Sequence, residues 1–202
     1  MSNFVIDNLT NENLIFMEDI TLSYLTVDLD NLQGPQVQRL VRPVRSVREL
    51  FEDREAFDRL PQNAPAYEVA SYLPVAEGTP GGLFYGITRI HSWIVGDEYM
   101  MTKGHFHARI DRAEFYWGLR GEGLLLLMDG NRNCRAEKVF PGSLHYIGGG
   151  IAHRMINTGD EIFSFGACWP SDAGHDYATI ARDGFAVRVK KVNGQPRIVK
   201  TE

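Results

Sequence analysis

The sequence predicts an all-β domain that closes into a barrel or sandwich. Short strand-like runs follow one another from about residue 83 to residue 188, with turn residues between them. The 202 residues include 20 glycines, which suits a turn-rich β protein better than a helical bundle. This length is enough for one domain with a buried core and short extensions, and no repeat or linker divides it.

The N-terminal part is predicted to contain a strand and a short helix. Asp19–Leu29 alternates apolar and polar residues, and a change of phase near its middle indicates a bulge. Ser46 and Glu49 match a capping box, which predicts one or two helical turns that start at Ser46 and extend towards Leu60. We therefore expect residues 1–40 to form an extension that packs on the barrel or on a dimer partner.

The other predicted strands share short length, apolar character and flanking turn residues. In chain order they are Tyr67–Leu73, Leu83–Trp93, Glu98–Thr102, Glu114–Leu119, Gly123–Met128, Ala136–Phe140, His145–Ile147, His153–Asn157 and Glu161–Cys168. Asp129-Gly130-Asn131 is a strong hairpin signal between two of them. These strands define the main domain, residues 41–190, and residues 191–202 are expected to form a tail.

Composition limits the partners and the compartment. The formal net charge of -5 gives no electrostatic reason to expect nucleic acid. The longest apolar run, Leu124 to Met128, is too short to cross a membrane, and no secretory signal is apparent at the N-terminus. Cys134 and Cys168 are far apart and fit two free thiols in a reducing cytosol. We expect a cytoplasmic protein.

The sharpest chemical signal is His105-Phe106-His107. Residues two apart on a strand face the same way, so both imidazoles can point into a barrel while Phe106 packs outside. Glu114 begins a later strand, and His153 lies on another. Three imidazoles and one carboxylate suit a borderline divalent ion such as Fe, Mn, Co, Ni or Zn, and fit Ca or Mg poorly. The sequence predicts one such ion per subunit.

The spacing around these ligands resembles the cupin motifs. Glu114 is followed by Gly121, and the second motif is matched at Gly142, Gly148, Gly150, His153 and Asn157. Gly148 stands where that motif usually has proline. The resemblance implies a double-stranded β-helix, which is a jelly-roll barrel.

Three blocks narrow the resemblance to the cupin-type glucose-6-phosphate isomerases. They are residues 102–114, residues 152–161 and residues 170–177. The resemblance implies an enzyme of glycolysis or gluconeogenesis that interconverts glucose 6-phosphate and fructose 6-phosphate. It implies the same metal ligands, His105, His107, Glu114 and His153. It also implies a sugar-phosphate pocket at Tyr67, Thr88, Thr102, Gly104, Tyr116, His175 and Tyr177, with Glu114, Tyr116 and His175 as the catalytic residues. Trp169 departs from the family, which often has tyrosine there.

Other interpretations of the same residues stay open at this point. An Fe(II) cupin dioxygenase would use the same ligand set, and a non-catalytic cupin would bind a sugar without turnover. By analogy with other cupins we expect a homodimer. Lys103 is expected to point outward as surface charge, because its two neighbours on the predicted strand face inward. Arg42, Arg45 and Arg48 are expected to lie at the surface or in a subunit contact.

Overall fold

The structure is a computed structural model that describes residues 25–201. Its strands are β1 (Thr26–Asp28), β2 (Asn31–Gln33), β3 (Gln38–Pro43), β4 (Pro65–Tyr72), β5 (Leu83–Ile90), β6 (Ile94–Val95), β7 (Glu98–Tyr99), β8 (Glu114–Arg120), β9 (Gly123–Met128), β10 (Cys134–Val139), β11 (Leu144–Ile147), β12 (Ala152–Asn157), β13 (Phe163–Pro170), β14 (Val187–Val192) and β15 (Gln195–Lys200). The helices are a 3₁₀ helix (Val44–Leu50), α1 (Arg54–Asp58) and α2 (Tyr177–Asp183). The predicted all-β class is confirmed.

Two antiparallel sheets enclose the core. The larger sheet has the strand order β11-β8-β13-β5-β4-β3, and the smaller one has the order β10-β9-β12. Alternate residues of β8 point inward, since Glu114 and Tyr116 are buried while Phe115 between them is exposed. Strand β9 is buried along nearly all its length and contributes Leu125 and Leu127 to the same core. Filling the space between the sheets with such residues is what closes the jelly roll.

The described part of the N-terminal extension packs on the outside of the larger sheet. Leu32 of β2 is buried against Ala70 of β4 and Ile87 of β5. Of the strand predicted over Asp19–Leu29, β1 occupies Thr26–Asp28, and residues 19–24 lie outside the described residues. Strand β3 runs across the expected domain boundary at residue 40.

The predicted capping box is wrong. Pro43 stands at the N-cap of the 3₁₀ helix and makes no side-chain cap. Ser46 lies inside that helix, and its hydroxyl donates back to the Pro43 carbonyl oxygen at 2.7 Å. Such local bonds compete with capping. The residue that caps is Asp53, whose carboxylate accepts from the Ala56 N–H at 2.8 Å at the start of α1.

Residues 191–202 were expected to form a tail, but β14 and β15 form a hairpin there. Asn193 and Gly194 connect the two strands, with φ angles of 52° and 75°. Asn-Gly is a strong signal for a tight two-residue turn, because both residues tolerate positive φ. Strand β14 also pairs with β7, which extends a third sheet of order β15-β14-β7-β6.

Three further expectations concern single features. The loop between β9 and β10 is a hairpin connection as predicted, and the Asp129 carboxylate accepts from the N–H groups of Asn131 and Asn133. Cys134 and Cys168 are free thiols. Among the described helices, none is long and apolar enough to cross a membrane.

Candidate metal centre and substrate cleft

Four buried side chains converge inside the barrel. Glu114 begins β8, and His153 lies on β12. The segment that carries His105 and His107 runs beside β12, with His105 bridged to His153 by two backbone hydrogen bonds. One ligand atom from each of the four residues lies within 4.8 Å of the others. The fold therefore assembles the group that the sequence predicted from spacing.

Hydrogen bonds outside the cluster orient two of the rings. His107 Nδ1 lies 2.8 Å from the Arg112 carbonyl oxygen, and His153 Nδ1 lies 3.1 Å from that of Ile151. A carbonyl oxygen only accepts, so each Nδ1 carries the hydrogen. In the neutral ring, Nε2 then presents a lone pair to the cluster, which is the orientation that metal-binding histidines adopt.

Lone pairs and negative charge face one another in the centre of the cluster. His153 Nε2 lies 2.6 Å from Glu114 Oε1 and 3.1 Å from His105 Nε2. His107 Nε2 lies 3.4 Å from the same carboxylate oxygen, and both atoms are buried without a hydrogen-bond partner. Bringing such acceptors together in a dry interior is costly unless a cation lies among them. The four residues thus fit a bound divalent ion.

The pKa values agree with a site built for positive charge. Burial raises the pKa of Glu114, but the nearby His153 and His107 rings outweigh it and hold that pKa well below its usual range. Burial lowers the pKa of His107, and the neighbouring Glu114 carboxylate more than reverses this. Burial, followed by the neighbouring His153 and His175, lowers the pKa of His105 well below its usual value. A neutral ring is the form that binds metals.

A cleft of about 240 Å³ opens beside His105 and His153. Six of the residues predicted to contact the sugar phosphate or to act in catalysis line it: Tyr67, Thr88, Thr102, Gly104, His175 and Tyr177. Tyr116 is not among its lining residues. It lies buried behind His153, with ring centroids 5.6 Å apart. His107 and Glu114 are likewise not among the residues that line this cleft.

Residues 172–177, here called the strap, place the rings of His175 and Tyr177 beside that of His105, with centroids 4.5 and 5.3 Å away. Phe106 and Asp176 exchange two backbone hydrogen bonds, which attach the strap beside the His105–His107 segment. Asp172, at the start of the strap, receives hydrogen bonds from the side chains of Arg109 and Arg112 at 2.6 to 2.8 Å. Because the Arg112 carbonyl oxygen also lies 2.8 Å from His107 Nδ1, one short loop connects the strap to the candidate metal cluster.

The expected surface roles of Lys103 and Arg42 need correction, since both residues line the cleft and are half-buried. Lys103 does not follow strand alternation because Gly104 beside it has a φ of 73°, which breaks the extended backbone. Arg42 ends up beside Tyr67 because β3 pairs with β4 in that register. Trp169 forms part of the cleft wall and packs edge-on against Phe84.

The fold and the ligand cluster define a cupin with a three-histidine, one-carboxylate site. The sequence profile of the family described as glucose-6-phosphate isomerase (GPI) matches residues 41–201. The glucose-6-phosphate isomerase of Thermococcus onnurineus is 38% identical over 174 residues, which cover 86% of this chain and 91% of that protein. That of Pyrococcus horikoshii is 39% identical over 173 residues, covering 86% and 92%. The chain belongs to this family of isomerases, which interconvert glucose 6-phosphate and fructose 6-phosphate.

A more distant sequence relative agrees with this assignment. A putative glucose-6-phosphate isomerase 2 of Rhizobium meliloti is 35% identical over 159 residues, covering 77% of this chain and 78% of that protein. Among solved structures, an oxalate decarboxylase from Bacillus subtilis matches 60% of this chain and 29% of its own, with 16% identity and a TM-score of 0.44. An oxalate oxidase matches 57% of this chain and 56% of its own, with 16% identity and a TM-score of 0.45. The isomerase assignment rests on the sequence relatives.

Proposed function

We propose that this isomerase depends on one divalent ion per subunit, held by His105, His107, Glu114 and His153. The observation that carries the proposal is the set of buried, converging acceptor atoms, two of which have no hydrogen-bond partner. Nitrogen-rich ligand sets favour Fe, Zn, Mn, Ni or Co over Ca and Mg. When bound, the ion supplies positive charge that stabilises the negative charge growing on the sugar oxygens during isomerisation.

The cleft is proposed to hold the open-chain sugar phosphate with its reacting end beside His105 and His153. Its phosphate would then lie at the Thr102 and Gly104 end, where hydroxyl and backbone N–H groups can donate to it. Thr88, Tyr67 and Tyr177 line the same cleft and are proposed as further donors. Burial raises the pKa of Tyr67 to about 12, so its hydroxyl keeps its proton and can donate.

Glu114, Tyr116 and His175 are proposed as the catalytic residues. His175 lies at the solvent-facing mouth of the cleft, 4.5 Å from the His105 ring between centroids, so it can pass protons between the sugar and water. Burial raises the pKa of Tyr116 well above its usual value. Its hydroxyl therefore keeps its proton and is proposed to donate a hydrogen bond. The lowered pKa of Glu114 makes this carboxylate a weak base. Isomerisation in D₂O tests its role, because proton transfer incorporates deuterium into the product and a hydride shift does not.

Metal removal is the direct test of the proposal. Dialysis against EDTA is expected to abolish conversion of fructose 6-phosphate to glucose 6-phosphate, measured in a coupled assay. Adding back single divalent metals should restore it, with borderline metals more effective than Mg or Ca. Full activity in protein that elemental analysis finds free of metal would contradict the proposal.

A homodimer is proposed as the functional form. Phe115, Leu144 and Tyr146 are 45%, 65% and 59% exposed on the outer face of the larger sheet. The Phe115 and Tyr146 rings lie against each other at 5.3 Å, which makes a continuous apolar surface suited to a second copy of the chain.

The proposed compartment is the cytoplasm.

Light scattering of the purified chain tests this assembly. The parent protein is expected to have twice the chain mass, and the Leu144→Lys, Tyr146→Lys double variant is expected to dissociate, because charge on a buried apolar interface is unfavourable. Ile198→Lys, an equally exposed position on β15, is the control. A double variant that remains dimeric would place the interface elsewhere.

A further inference from the structure

Lys103 and Gly104 form a bulge opposite a single residue of β12. The Thr102 N–H donates to the Met155 carbonyl oxygen at 2.9 Å, and His105 and His153 exchange two backbone bonds. Between these two pairings, Lys103 and Gly104 face Arg154 alone. One strand thus has two residues where its partner has one, and Gly104 has a positive φ of 73°, a conformation that glycine adopts readily. The backbone groups of the bulge have no ladder partners and must find others.

The Arg154 side chain supplies one of those partners. Its Nη2 donates to the Lys103 carbonyl oxygen at 2.5 Å. The guanidinium lies 4.6 Å from the centroid of the Phe185 ring, which fixes its plane through a cation–π contact. Gly104 leaves no space for movement, because a Cβ there would lie 2.8 Å from the Phe185 ring and 3.1 Å from Arg154. Arg154 is therefore locked onto one side of the bulge.

The planarity of the Lys103–Gly104 peptide bond then fixes the direction of the Gly104 N–H. The Lys103–Gly104 peptide is trans, so its C=O and its N–H point in opposite directions. The carbonyl points to Arg154, which lines a second cavity of about 540 Å³. The Gly104 N–H therefore points away from the Lys103 carbonyl, and Gly104 lines the cleft beside Thr102 as well as the second cavity. Within residues 25–201 this N–H has no hydrogen-bond partner.

Arg154 is an unusual residue to find in this position. It is 8% exposed, and none of the described carboxylates lies within 4.0 Å of it. A buried cation without a carboxylate partner is costly. Burial lowers the pKa of Arg154 to about 10, which still leaves the side chain protonated at neutral pH. An apolar side chain would fill this buried position without that free-energy cost.

We infer that Arg154 is a positioning residue for substrate binding, which holds the Lys103–Gly104 peptide so that the Gly104 N–H donates to the substrate phosphate. This inference rests on the proposed location of the phosphate at the Thr102 end of the cleft. Arg154 itself does not touch the substrate. Its effect is transmitted through one peptide plane, and it acts on phosphate binding and not on the reacting end of the sugar.

The test is the Arg154→Met variant, which keeps the length of the side chain and removes its donor. The KM for fructose 6-phosphate and the Ki of inorganic phosphate as a competitive inhibitor are both expected to rise about tenfold, which is the loss of one well-placed hydrogen bond to a charged group. The kcat should stay within about twofold, and the metal content should be unchanged. Arg154→Lys, which retains charge and a donor, is expected to recover part of the loss and serves if the Met variant does not fold.

Arg132→Met is the matched control for loss of a cation. Arg132 lines the same second cavity but donates to the carbonyl oxygens of Asp183 and Gly184, away from the bulge. The inference is overturned if Arg154→Met leaves the phosphate Ki unchanged, if Arg132→Met raises it as much, or if Arg154→Met lowers kcat and metal content at constant KM. Thr102→Val distinguishes a failure of the inference about Arg154 from a failure of the proposed phosphate location. If Thr102→Val raises the phosphate Ki and Arg154→Met does not, only the inference about Arg154 fails. If neither variant raises it, the proposed location of the phosphate fails as well.

Discussion

Replacing His153 with alanine is expected to abolish metal binding and to lower kcat/KM by on the order of a thousandfold or more. His153 Nε2 lies at the centre of the cluster, 3.1 Å from His105 Nε2 and 2.6 Å from Glu114 Oε1. Its loss removes one of the four side chains proposed to hold the ion and opens the buried cluster next to Glu114. Elemental analysis and the coupled isomerase assay measure the two effects independently.

His91→Ala is the control for this variant. His91 is a half-buried histidine whose Nε2 lies 3.3 Å from Glu68, and it is not among the residues that line the cleft. It should retain metal and activity. His105→Ala gives a second ligand variant, and far-UV circular dichroism confirms that each protein is folded. Near-parental turnover in both ligand variants would rule out the metal cluster as the catalytic centre.

Replacing Gly118 with alanine is expected to destabilise the fold by about 3 kcal/mol or more, at the upper end of the cost of overpacking. An added Cβ would lie 2.1 Å from the Phe140 carbonyl oxygen. The neighbouring backbone has little freedom to retreat, because Gly118 bonds Ser143 and Gly142 on that side at 2.9 Å each. Since β8 carries Glu114, the metal site is lost when this strand is displaced.

Thermal unfolding measures this effect, and a decrease in Tm of about 10 °C is expected for a chain of this size. Gly130→Ala is the matched control, because nothing lies within 4 Å of a Cβ at that exposed turn position. Its effect should stay within about 0.5 kcal/mol. Equal melting temperatures for the two variants would mean that the turn after Phe140 moves away from β8 at little cost.

Local sequence signals predicted most of the strands and the four candidate ligands. The alternation around Glu114 and the spacing of His105 and His107 are encoded within a few residues, so both were predictable from strand geometry alone. The Asn193-Gly194 turn was also present in the sequence as a local signal, and the hairpin that it connects was overlooked. The predicted capping box was wrong because Ser46 lies inside the 3₁₀ helix. Its hydroxyl donates to the Pro43 carbonyl oxygen there.

By itself, the sequence determined the all-β class, the family and the four candidate ligands, because each depends on residue type at short spacing. The tertiary structure decided what surrounds them. Arg42 lies in the cleft because of the pairing of β3 with β4, and Arg154 faces Lys103 because of a bulge between segments about 50 residues apart. Such contacts depend on register and on one glycine's φ angle, which are set by the packing of the whole barrel.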